Sequence, residues 1–275
     1  GGFDGWDIHR KTRTNTDSYS KGASLGVLGT TVGNFTAYVL DDGSTGITSD
    51  YYAYLKGIKM FDNPESVIID LLATPNVNNI DNSDLVEETI EMIEQDRCDA
   101  FYVFTTIDHN VANEALSVTD LSDNNDGLFD TPYAGTYAYW GQYNDTENNT
   151  RIYLPPTAEV MRIFAYTNRI SAPWYAGAGT TRALTNFLNV RKKPRETDRD
   201  TLYENRVNSL FYDRGNIFVF GNKTMQVADS LLSQISIVRM VLYLRRQISR
   251  LGIALLFEPN DATIRVKFER QYGKY

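Results

Sequence analysis

Between Val67 and Thr105 the chain runs apolar segment, amphipathic segment, apolar segment, and few folds accommodate that order. Val67–Leu72 and Ala100–Thr105 are nearly continuous apolar stretches of strand length, the pattern of strands covered on both faces. Between them, Asp84–Asp96 places Leu85, Val86, Thr89, Ile90 and Ile93 on one helical face and Glu87, Glu88, Glu91 and Glu94 on the other. A strand, crossover helix and strand of this length pair their strands in parallel. The expected class is α/β (α+β), with mixed sheets flanked by helices and a polar, partly β segment at the N-terminus.

The other elements follow from periodicity and turn chemistry. The first sixty or so residues are rich in Gly, Thr, Ser and Tyr, with one alternating run at Phe35–Leu40, and Tyr51–Ile58 has helical spacing. Asp120–Asp130 reads as an acidic loop, Tyr137–Tyr143 as an aromatic strand and Asn144–Thr150 as a connection. A short strand from Ile152 leads into Pro155-Pro156-Thr157, where prolines suit a helix start because their missing N–H would have no partner anyway. That helix is expected to reach Arg169. Thr180 or Thr181 should cap a short helix through Leu188, and Asp200 another through Leu210. Asn216–Gly221 reads as a strand and Asp229–Arg250 as the longest helix. Ile253–Phe257 and Thr263–Phe268 read as a final strand pair.

Charge divides the chain unevenly. Residues 1–150 hold 7 Lys and Arg against 25 Asp and Glu, while residues 151–275 hold 20 against 10, so −18 is followed by +10 within a total of −8. Two regions are expected, an acidic α/β region over 1–145 that includes the polar N-terminal segment, and a basic α/β region over 146–275. Opposite charges on one chain suit copies that attract one another head to tail, or an acidic partner. A nucleic-acid-binding module is the weaker reading, because a net acidic protein is repelled by phosphates unless its basic half is displayed alone. Apolar residues at 42% and charged residues at 23% argue for a folded globular chain rather than a disordered one. No stretch reaches the roughly 18 uncharged apolar residues of a membrane span, so membrane insertion is not expected. The single cysteine, Cys98, excludes an internal disulfide and a cysteine-built metal site.

The chemistry of an active site is missing from these patterns. His9 and His109 are the two histidines and neither sits in a triad or metal motif. There is no phosphate-cradling glycine loop. Gly177-Ala178-Gly179-Thr180 comes nearest, but it follows Pro-Trp-Tyr rather than a strand, and close backbone packing explains its glycines more simply. The Ser122–Gly127 stretch would put Ser122 and Tyr133 where a calcium loop needs carboxylates. No catalytic residue, cofactor or metal is therefore expected. An α/β enzyme would need a polar pocket at the C-terminal ends of the two apolar strands. In the long helix, Leu231, Ile235, Val238 and Leu242 form one apolar stripe and Ile237, Val241, Leu244, Ile248 and Leu251 another, so most of its circumference is expected to be buried. Its cations Arg239, Arg245, Arg246 and Arg250 lie late in the helix. There they complement the helix dipole or face an acidic partner.

The last hundred-odd residues also carry a series of specific phrases: Leu154-Pro155-Pro156-Thr157, Ala172-Pro173-Trp174-Tyr175-Ala176-Gly177, Phe218-Val219-Phe220-Gly221-Asn222-Lys223-Thr224, Leu244-Arg245-Arg246-Gln247-Ile248 and Phe257-Glu258-Pro259-Asn260. In this order, together with Gly1-Gly2-Phe3-Asp4-Gly5, they resemble the shared region of contractile tail sheath proteins, the sleeves of phage tails and related injection machines. The resemblance implies a mechanical subunit without covalent chemistry or cofactors. Its partners would be other sheath subunits in hexameric rings and a helical polymer, the inner tail tube and the baseplate. It would act in the virion tail, assembled in the host cytoplasm, where contraction drives the tube through the host envelope for genome ejection. A bacteriocin or type VI secretion sheath is the alternative within the family, and an α/β enzyme or nucleic-acid-associated module lies outside it. The resemblance makes Arg239, Arg245, Arg246 and Arg250 candidates for tube or inter-subunit contact. It also implies a truncated or protease-resistant fragment of a larger subunit, of giant-myophage origin and without the strand-exchanging arms, so that these residues alone would be monomeric.

Overall fold

The computed structural model describes residues 38–39, 45–46 and 49–272, apart from 81, 111–113, 147–148 and 254. In chain order the first half contains β1 (Tyr38–Val39), β2 (Thr45–Gly46), α1 (Ser49–Lys59), β3 (Leu71–Asn78), α2 (Ser83–Glu91), β4 (Phe101–Thr105), α3 (Val118–Asp123), β5 (Ala134–Tyr137) and β6 (Gly141–Asp145). The second half contains β7 (Thr150–Leu154), α4 (Thr157–Ile170), β8 (Asn189–Val190), α5 (Glu196–Glu204), β9 (Val207–Asp213), β10 (Asn216–Phe220), α6 (Ile235–Ile253) and α7 (Ala262–Tyr272).

The central sheet has the order β10-β9-β5-β4-β3, parallel from β3 through β9 and closed by the antiparallel β9–β10 hairpin. Strands from both charge halves therefore lie side by side. Strand β4 is buried along its whole length. Its alternation sends Phe101 and Val103 into a core with α4 and α6, and Tyr102 and Phe104 into a core with α1 and α2. The mixed α/β class is as expected, as are the parallel strands 71–73 and 101–103 with their crossover helix. Leu85, Val86, Thr89, Ile90 and Ile93 of that helix are buried. Helix α2 continues as a π-helical turn, Met92–Arg97, which ends with Cys98 in the left-handed region.

A second sheet, β7-β6-β8, is antiparallel. Here several expectations are corrected. The aromatic strand 137–143 is two strands in two sheets, broken where the Trp140 N–H donates to Asp108 Oδ2 at 2.6 Å. The acidic loop at 120–130 starts as helix α3, because Ser117 and Asp120 form a reciprocal cap. Residues 180–188 form no helix. They run along the outer edge of β10, where Thr185 N donates to Ile217 O at 2.8 Å and Val219 N to Ala183 O at 2.9 Å. The helix expected from Asp200 begins at Glu196, with the Arg195 N–H capped by Asp198, and Leu210 lies in β9. The expected strand pair near the C-terminus is a turn followed by α7, whose first turn is capped by Asp261 Oδ1 accepting from Ile264 N at 2.8 Å. Strand β3 starts at Leu71 rather than Val67, because the carbonyls of Val67 and Ile69 accept from arginines instead of from a neighbouring strand. Gly1–Gly5, His9 and the Phe35–Leu40 run, except Tyr38 and Val39, lie outside the described residues.

Candidate functional site

The late face of α6 is where sequence placed function, and the four arginines there have four different surroundings. Arg239 is 5% exposed. Its guanidinium stacks on the Phe164 ring at 4.4 Å and donates to Asn168 Oδ1 and the Phe164 carbonyl. Burial lowers its pKa to about 10. Arg246 grips the start of the sheet, since Nη2 donates to the carbonyls of Ile69 at 2.8 Å and Asp99 at 2.6 Å, the residues that lead into β3 and β4. The same guanidinium pairs with the carboxylates of Asp70 and Asp99. Burial, with help from the charge of Arg250, pushes its pKa down. Asp99 also binds Arg97, whose Nη1 and Nη2 donate to the carbonyls of Phe61 and Val67. Arg245 and Arg250 are exposed. So two of the four candidates are engaged inside the chain and two face outward.

Sequence reasoning missed this clamp, although a signal existed. Asp70 and Asp99 sit just before the two apolar strands, where a carboxylate would otherwise face desolvation without a partner. The apolar stripes also divide. Ile235, Val238 and Leu242 are buried, whereas Val241 and Ile248 are each 43% exposed and lie with Arg245 on one face, because positions 241, 245 and 248 share a helical stripe. Leu231 precedes the helix and is exposed.

Several other basic residues are held against aromatic rings. Arg191 lies over Tyr153 at 4.4 Å, Lys193 over Tyr212 at 3.7 Å, and Arg199 over Phe211 at 4.8 Å. Arg191 also pairs with the fully buried Asp108. Cations whose faces are occupied in this way are poorly placed to track a phosphate backbone. His109 packs edge-on against Trp140 and bonds to Asp108, a structural junction. Among the described residues no three His, Cys, Asp or Glu side chains gather as a metal site, and no described helix is long and apolar enough to cross a membrane. A small pocket lined by Asp70, Leu71, Asp99, Asn168, Arg239 and Arg246, among others, lies at the N-terminal ends of the strands, opposite the end where α/β folds bind ligands. Strand order also follows chain order, without the reversal that opens a nucleotide crevice.

The signature phrases turn out to be structural joints. Gly177 is flush against Phe164, where an added Cβ would sit 2.4 Å from the ring. Gly221 lies at φ +150° against Asn208, which donates to the carbonyls of Thr136 and Lys223 and accepts from Lys223 N, tying β5, β9 and the loop after β10. Asn222 Oδ1 accepts from Ser236 N at 3.1 Å at the start of α6. The Pro155-Pro156-Thr157 corner is buried.

The fold is shared with chains of contractile injection systems. A chain of the anti-feeding prophage baseplate matches with a TM-score of 0.63 and 15% identity, over 95% of this chain and 66% of that one. A chain of the PVC sheath complex of an extracellular contractile injection system, in its contracted state, matches with 0.58 and 19%, over 80% and 56%. In sequence, the chain is similar to the tail sheath protein of Enterobacteria phage T4, 28% identical over 171 residues, and to that of Vibrio phage KVP40, 30% identical over 151 residues. Those matches cover 60% and 53% of this chain but only 25% and 22% of the phage proteins. No family model matches. By fold the chain is similar to chains of contractile injection systems, and by sequence to phage tail sheath proteins.

Proposed function

We propose that the chain is part of a structural subunit of a contractile phage tail sheath, which surrounds an inner tube and shortens to drive it through the host envelope. The observation that carries this reading is a fold shared with the helical sheath of the anti-feeding prophage across 96% of the chain, joined to sequence similarity with two phage sheath proteins. Both curated proteins that match in sequence are phage tail sheath proteins, which favours a phage tail over a non-viral machine. The subunit works by changing its packing against neighbours and carries out no covalent step. Its partners are other sheath subunits, the tube and the baseplate, and its place is the virion tail after assembly in the host cytoplasm. Arg245 and Arg250, exposed on α6, are the cations that reach a partner. These 275 residues alone are monomeric. The test is electron microscopy of the product of the open reading frame that carries them, expressed with and without a cognate tube protein. Tubular polymers of sheath dimensions are expected, and a product that stays monomeric under both conditions overturns the reading.

A further inference from the structure

We draw no further inference here: the strongest candidate, the exposed apolar face formed by Tyr143, Ile152 and Leu154 of the β6–β7 hairpin with Leu188 beside it, carries nothing because nothing in the structure shows what covers it.

Discussion

In the first half of α6, Ile235, Val238 and Leu242 are buried against the central sheet and Arg239 is sealed between Phe164 and Asn168. Beyond Leu242 the same helix turns outward, with Arg245, Ile248 and Arg250 exposed, and only Arg246 reaches back to the strand starts. Ile253, Leu256 and Phe257 after it are exposed at 71%, 70% and 95%. The contrast teaches that residue type and helix position did not decide the role of an arginine here. What decided it was whether the turn of helix carrying it faces a strand end that already holds carboxylates and unpaired carbonyls.

The sharpest way to break this comparison is Arg246→Ala. It leaves the half-exposed Asp70 without a partner and two strand-leading carbonyls unmatched, while Asp99 keeps Arg97, and should cost about 3 kcal/mol in urea unfolding through the lost charge-assisted hydrogen bonds. A loss as small as that of Arg245→Ala would mean that the inner and outer arginines are equivalent.

Alkaline pH probes the buried half alone. Tyr102, Tyr137 and Tyr139 are each fully buried, and burial raises their pKa above the usual 10. A raised pKa means the folded state keeps a proton that the unfolded chain releases, so this stability is complete below pH 10 and is lost as pH rises beyond it. Arg239, lowered to about 10, works in the opposite direction above that pH, because the unfolded chain then holds the extra proton. Three groups against one give a net loss of about 3 kcal/mol per pH unit above pH 10. Thermal melts between pH 8 and 11 should show the fall, and flat melting temperatures would contradict it.

Gly141→Ala tests packing between the two sheets. A Cβ at Gly141 would lie 2.2 Å from the Phe187 ring, and Phe187 belongs to the core on the α6 side. The expected cost is about 2 kcal/mol by chemical denaturation, and a neutral result would show that the Phe187 side chain gives way freely. The smallest effect on stability belongs to Arg245→Glu with Arg250→Glu, within about 0.5 kcal/mol of the parent because both side chains are exposed. In the assembling protein the same pair should stop growth on tubes, read by electron microscopy. Normal tubes would remove both arginines from the contact surface.

Much of the fold was legible because its signals were long and redundant. The 67–105 region combined two apolar runs with a five-residue helical face, and the structure keeps the helix and the second strand while moving the first strand to Leu71–Asn78. The 263–268 segment failed because Ile264, Val266 and Phe268 alternate as in a strand, yet α7 is exposed on most sides, so neither period reflects a buried face. Asp261, just before α7, caps its first turn. Residues 180–188 failed for a different reason. A threonine cap is local, whereas the edge of β10 offers hydrogen bonds from residues more than thirty positions away. The candidate site was half legible. Sequence located the arginines on the right helix, but the inward or outward aim of each depends on Asp70, Asp99, Phe164 and Asn168, which lie 71 to 176 positions away in the chain.

The Arg246 grip has a mechanical consequence. Because one guanidinium holds the residues leading into both β3 and β4, tension applied along the long helix enters two adjacent parallel strands at the same end. The two strands are then pulled together in the same direction, so the ladder between them is neither sheared nor peeled open. A sheet wired in this way transmits a pull from the helix as a stiff link.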